Sequence, residues 1–298
     1  MARELISNTR MRWTPGGIGS DVEDRRGAGG GFGFGRGPTI GCGGAVILLV
    51  LSLLTGRNFF SLLGDGGGAS QVPAGQSAPP ASESPEEHKA AEFVSFVVTD
   101  AQDTWTKILD QQGVPYRRAK LVLFRDAVQS GCGSAQASSG PFYCPSDERV
   151  YIDLSFYDEL RERFGAPGDF AQAYVIAHEV GHHIQTLLGI SERVHDAMEN
   201  DRGRANALSV KLELQADCFA GIWGHSTSQR GILDPDDIDE GLNAASSIGD
   251  DRLQRDAGRR VNPDSFTHGS SEQRVAWLHR GLESGNPEVC DTTEAKGE

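Results

Sequence analysis

The chain is short of positive charge. Its 298 residues hold 28 Lys and Arg against 42 Asp and Glu, a net charge of −14. Affinity for a phosphate backbone comes largely from a positive footprint, so this balance argues against a nucleic-acid partner. CxxC spacing is absent among the five cysteines, which argues against a zinc site built on thiolates. What is present, 38% hydrophobic and 23% charged residues, fits a globular protein with unstructured additions.

Glycine is spread unevenly, with 18 of 38 in the first 68 residues. Residues 1–37 mix six arginines, four acids and a glycine-rich run from Gly27 to Gly37. Such a composition predicts a disordered tail. Thr39–Gly56 follows, 18 residues without a charge, near the lower limit for a helix crossing a bilayer. It predicts one transmembrane signal anchor over residues 38–63. A cleaved signal peptide would need a shorter leading segment and a small-residue cleavage site close behind. The tail carries a net +2 and the remainder −14 − 2 = −16. The positive-inside rule then places the N-terminus in the cytoplasm and the rest outside the cytoplasmic membrane. Residues 64–84, rich in Gly, Ser, Pro and Ala, read as a tether. The folded domain is expected over 85–291, with 292–298 as a short tail.

Four cysteines follow the apolar run, in keeping with export, and four allow three pairings. Cys132 and Cys144 bracket a Gly/Ser-rich turn region that suits a local bridge, leaving Cys218 with Cys290. A buried free thiol at Cys218, inside an apolar helical pattern, is the alternative. Ser84-Pro85-Glu86-Glu87 reads as a helix start, and Phe93, Val97, Ala101, Trp105 and Leu109 continue it at helical spacing. Lys120–Arg125 and Arg149–Leu154 read as strands. Helices are expected over Ser155–Phe164, Phe170–Leu188, Asn206–Gly224, Asp236–Ile248 and Ser271–Leu282. Asp169 is the expected cap of the second of these, in a reciprocal box with Gln172. The balance is an α+β pattern, mostly helical with a small sheet.

Within Phe170–Leu188 lies His178-Glu179-Val180-Gly181-His182. Residues four apart on a helix differ by about 40° in direction, so both imidazoles point at one spot, one turn apart. That supplies two nitrogen ligands for a tetrahedral Zn²⁺. Glu179 points aside, within reach of a water at the metal. His183 lies about 140° from His178 and cannot join the site from an unbroken helix. Apolar and small neighbours imply that both histidines are buried, and buried imidazoles need partners. Gly181 removes bulk beside the metal at a cost in helix stability.

A third ligand should come from elsewhere in the chain. Glu213 and Asp217 are also four apart, in the otherwise apolar LELQADCFAGIW, where two acids are costly unless paired or metal-bound. Glu213 is the expected ligand. Asp217, one turn on, is expected to accept the outer N–H of a ligating histidine and fix its tautomer.

HEVGHHIQ, ELQADCFAGIW, the CGSAQASSGPFYCPSDERVYIDLSFY block and the N-terminal MRW…VEDRRG together resemble the bacterial neutral zinc metallopeptidase family, over nearly the whole chain. The resemblance implies a zincin-like metallopeptidase domain with a glutamate third ligand. His178, Glu179, His182 and Glu213 match its motif. It names a chemistry and no particular substrate.

The expected activity is hydrolysis of peptide bonds in peptide or protein substrates, with one Zn²⁺ per chain. Three protein ligands leave a position open, and zinc lowers the pKa of water towards about 7. Glu179 takes its proton as general base and returns it to the leaving amine. His268 is the expected donor to the developing oxyanion, with Tyr174, one turn before His178, as a second candidate. The rival reading is a catalytically silent, membrane-tethered module that uses zinc structurally. Such a module has no use for Glu179.

Overall fold

The computed structural model describes residues 11–27 and 83–292. Four strands form the main sheet: β1 (Val22–Asp24), β2 (Lys120–Phe124), β5 (Phe142–Cys144) and β6 (Arg149–Asp153), in the order β1-β2-β6-β5. The first two pairings are parallel and the last is antiparallel. β2 and β6 are buried along nearly their whole length, which is why they read as continuous apolar runs. A hairpin of β3 (Ala127–Ser130) and β4 (Gly133–Gln136) stands apart. The Cys132–Cys144 disulfide ties its turn to β5.

Helix α1 (Pro85–Gln111) begins where the sequence places it, with the Ser84 hydroxyl accepting the Glu87 N–H. Its buried face runs from Phe93 through Val97 and Ala101 to Trp105 and Leu109. After β6 come α2 (Phe156–Glu162), α3 (Asp169–Leu187), α4 (Ile190–Asn200), α5 (Ala205–Gln229), α6 (Pro235–Ser247), α7 (Asp250–Asp256) and α8 (Ser271–Ser284). The architecture is therefore mostly helical with small sheets. α4, α7, β1 and the strands between β2 and β6 carry no signal strong enough to be read beforehand.

Helices α5 and α8 approach backbone to backbone. A Cβ on Gly221 would lie 2.2 Å from the Leu278 carbonyl oxygen, and one on Gly281 would lie 2.1 Å from that of Cys218. Only glycine admits this approach, which brings the two helices close enough for side chains on one to reach the other. The Cys218–Cys290 disulfide fastens α5 to the C-terminal turn.

Three expectations are corrected here. Residues 11–27 are not a disordered tail. Met11 is buried, Trp13 packs on Phe93 and Phe96, and Val22–Asp24 pairs with Leu121–Leu123. Arg118 forks onto Asp21, and the buried Arg26 binds Asp24 at 2.6 Å and Glu83 at 2.7 Å. The segment has few apolar residues of its own and borrows its core from α1 and β2, which composition cannot reveal.

The single-pass anchor, and the localisation drawn from it, are the second correction. Among the described residues no helix is long and apolar enough to cross a membrane. Residues 39–56 lie outside the described residues. The chain before them and the chain after them share one sheet and one core. A single crossing between the two would put halves of that core on opposite sides of a bilayer.

The third concerns the start of α3. Its N-cap is Gly168, without a side-chain cap, and Asp169 is the first helical residue. Glu240 of α6 instead reaches the Phe170 N–H at 3.4 Å.

Candidate metal centre

The centre is built on the crossing of α3 and α5. A Cβ on Gly181 would lie 2.9 Å from the Ala216 carbonyl oxygen and 3.0 Å from its Cα. Glycine there lets the α5 backbone sit against α3, so Glu213 is delivered to the two histidines. The role of Gly181 is this close approach rather than clearance beside a metal.

His178, His182 and Glu213 each offer one ligand atom, all within 4.8 Å of one another. His178 Nε2 lies 3.2 Å from Glu213 Oε2, and His182 Nε2 lies 3.5 Å from Glu213 Oε1. Zinc–ligand bonds of about 2.0–2.2 Å at tetrahedral angles place neighbouring ligand atoms about 3.3–3.6 Å apart. The spacing and the His₂Glu chemistry therefore fit zinc. Both outer nitrogens are engaged as well. His178 Nδ1 donates to Asp217 Oδ1 at 2.8 Å, and His182 Nδ1 donates to Gln185 Oε1 at 2.9 Å. Each outer partner thus turns its imidazole so that Nε2 faces the centre.

Asp217 has no exposed surface and sits in a network of its own. Arg274 of α8 grips it through two bonds of 2.9 Å, and the Tyr174 hydroxyl donates to it at 2.5 Å while accepting from Arg274 at 3.2 Å. Burial opposes a charge on Asp217, but Arg274 and His178 outweigh it and hold the carboxyl below its usual range. Burial likewise opposes a charge on His178, yet Asp217 lifts that imidazole to about 10. With its hydroxyl committed to Asp217 and Arg274, Tyr174 is not free to serve a developing oxyanion.

Burial also pushes Glu213 upward, and the charges of His182 and His268 reverse this and hold it well below its usual range. Glu179 responds the other way. Burial raises its carboxyl, and the opposing charges of His178 and His182 only partly compensate. His183 faces elsewhere, as its direction on the helix requires: Nε2 donates to the Arg117 carbonyl at 2.6 Å and Nδ1 accepts from the Tyr143 hydroxyl at 3.1 Å.

His178, Glu179, His182, Glu213 and His268 all line one cleft of about 310 Å³. His268 is held from behind. Asp250 Oδ2 accepts the backbone N–H groups of Thr267 and His268 at 2.7 Å each, and its Oδ1 lies 3.3 Å from His268 Nδ1. Three residues of this arrangement escaped the sequence reading. Gln185 lies three residues after His182, on the same stripe of α3, and could have been found from that spacing. Arg274 stands one position before the apolar run Val275–Leu278, a weaker signal. Asp250 gives none.

The description "Putative neutral zinc metallopeptidase" belongs to the family model that matches residues 11–293. An uncharacterized protein of Escherichia coli K12, YpfJ, is 48% identical over 287 residues, covering 95% of this chain and 98% of its own length. An uncharacterized protein of Mycobacterium tuberculosis H37Rv, Rv2575, is 42% identical over 191 residues, covering 60% of this chain and 64% of its own. No solved structure matches. With the match running from before β1 to beyond the last described residue, the chain belongs to the neutral zinc metallopeptidase family.

Proposed function

We propose that the protein is a zinc-dependent peptidase that binds one Zn²⁺ through His178, His182 and Glu213 and hydrolyses peptide bonds in peptide or protein substrates. The observation that carries this reading is the placement of a buried Glu179 in the same cleft as a three-donor cluster in which the two histidines lie 3.2 and 3.5 Å from Glu213. A zinc ion held there supplies a Lewis acid that polarises a carbonyl and acidifies water.

The chain's own groups do the rest. Glu179, its carboxyl raised by burial, takes a proton from the attacking water and passes it to the leaving amine. Glu213 stays ionised beside the two imidazoles, and Asp217 and Gln185 keep each imidazole in the tautomer that faces the centre. His268, steadied by Asp250, donates to the carbonyl oxygen as it gains charge.

Metal analysis and a peptidase assay on four purified proteins test the reading. The wild type and His183→Ala should each hold one zinc and cleave. His182→Ala should lose the metal. Glu179→Gln should keep zinc and lose hydrolysis. Unchanged behaviour of Glu179→Gln would favour the rival, a zinc used only for structure.

A further inference from the structure

The backing of His182 runs further than one residue. Gln185 has no exposed surface, and Gln215 of α5 is only 7% exposed. Burying a primary amide is costly unless its oxygen and its nitrogen each find a partner. Both amides do. Gln185 Oε1 lies 2.9 Å from His182 Nδ1, and Gln185 Nε2 donates to the Leu212 carbonyl at 2.7 Å and to Gln215 Oε1 at 3.1 Å. Gln215 Nε2 donates in turn to the Cys290 carbonyl at 3.0 Å. Both branches of this chain end on backbone carbonyls. A carbonyl can only accept, so the chain has a direction. With Gln215 turned over, its amide nitrogen would face that of Gln185, and its oxygen would face the Cys290 oxygen. With Gln185 turned over, a donor would face His182. That donor suits an imidazole with its proton on Nε2, the nitrogen 3.5 Å from Glu213 Oε1 that faces the centre. The Cys290 carbonyl is itself held. Cys290 is buried, and its disulfide runs to Cys218, three residues after Gln215 on α5. The acceptor is thereby fastened to the helix that carries the donor.

We propose that Gln215 and the Cys290 carbonyl are positioning groups for the metal centre: acting through Gln185, they decide which nitrogen of His182 is free for zinc. The turn Pro287–Cys290 then contributes to metal binding although none of its residues lines the cleft. The inference rests on the zinc reading above. His178 stands outside the chain, because its partner Asp217 is held by Arg274 and Tyr174 instead. Two acceptors hold Gln185 in its productive turn, the Leu212 carbonyl and Gln215 Oε1. Loss of Gln215 removes one of them, and so weakens the preference without abolishing it.

The test uses the full chain, with zinc affinity read by competition with a chelator. Loss of an immediate outer partner of a ligating histidine costs at least about ten-fold. Gln215 stands one step further out, so Gln215→Met, which keeps the length and bulk of the side chain, should cost about three-fold. Adding it to Gln185→Ala should cost nothing beyond Gln185→Ala alone, since Gln215 acts only through Gln185. A role in packing would instead add the same loss in both backgrounds. The second readout is the ring N–H resonances of the zinc-loaded protein with isotope-labelled histidine. Gln215→Met should shift the Nδ1–H signal of His182 and leave that of His178 in place. Cys218→Ala combined with Cys290→Ala frees the carbonyl and should shift the same single signal. The Gln215→Met comparison does not depend on that cysteine variant folding. Additive losses, or a His182 signal indifferent to Gln215→Met, would overturn the proposal and leave the zinc reading intact. A wild type that takes up no zinc would overturn the zinc reading, and the His182 signal of the metal-free protein would still decide whether the two amides orient the ring.

Discussion

Behind His178 stands a charged network, and behind His182 stands a neutral amide. Asp217 receives the His178 Nδ1 proton and is itself clamped by Arg274 and Tyr174, all three nearly or fully buried. Gln185 receives the His182 Nδ1 proton, and its own N–H groups go to the Leu212 carbonyl and Gln215 Oε1, at 2.7 and 3.1 Å. Both partners fix a tautomer. Only the first also raises the basicity of its imidazole, and with Arg274 and Tyr174 it links three helices, α3, α5 and α8. One helix turn therefore separates a charged partner, itself held by a cation, from a neutral one, although both tie α3 to α5.

The largest effect expected of this asymmetry is on stability. Arg274→Met leaves Asp217 buried beside Tyr174 without its cation. Removing one member of a buried pair typically costs about 3–5 kcal/mol. Urea denaturation should show a loss of that order, and adding Asp217→Asn to Arg274→Met should recover part of it. A loss below about 1 kcal/mol would mean that the network behind His178 is no more structural than the amide behind His182.

Next in size is zinc affinity. Asp217→Asn keeps the shape and one acceptor but removes the charge. Loss of such an outer partner costs about 10–100-fold. The variant should sit near the upper end of that range in competition with a chelator, and should still fill with zinc at saturating metal. Gln185→Ala removes an uncharged partner and should sit near the lower end, about ten-fold. Equal losses in the two variants would break the comparison.

The smallest effect lies at the N-terminal end of α3, on the His178 side. Glu240 is half-buried, and burial together with the charges of Asp237, Asp169 and Asp236 lifts its carboxyl to about 7, against the bond from the Phe170 N–H. Folding therefore favours the protonated form. Its stabilising contribution is full below the ordinary glutamate pKa and is lost as pH rises through about 7. Glu240→Gln should match the wild type in Tm at pH 5 and exceed it slightly at pH 8.5. A variant less stable than the wild type at the higher pH would show that an ionised Glu240 supports the helix start.

Some of this was legible because it is local. The helix over Asp169–Leu187 follows from its own periodicity, and the convergence of His178 and His182 follows from 3.6 residues per turn. Glu213 and Asp217 stood out because two acids in an apolar helix require partners, and the structure places both beside His178. Ser84 as a cap, the two long buried strands and the two cysteine pairings were readable for similarly local reasons. β1 was not, because three residues in a glycine- and arginine-rich stretch acquire strand character only by pairing with β2, about a hundred residues on. The same pairing overturns the reading of a tail parted from the domain by a membrane crossing.

By itself the sequence determined the chemistry on offer: two imidazoles and a glutamate on one helix, and a further carboxylate pair on another, all set by helical geometry within a few residues. Tertiary structure alone decided which groups stand behind them. Arg274 reaches Asp217 across 57 positions because Gly221 and Gly281 let α5 and α8 touch, and Glu213 reaches the histidines because Gly181 lets α5 sit against α3. No periodicity encodes such contacts. They arise where two backbones approach closely enough for side chains distant in sequence to meet out of water, and there a charge must find its partner or be lost.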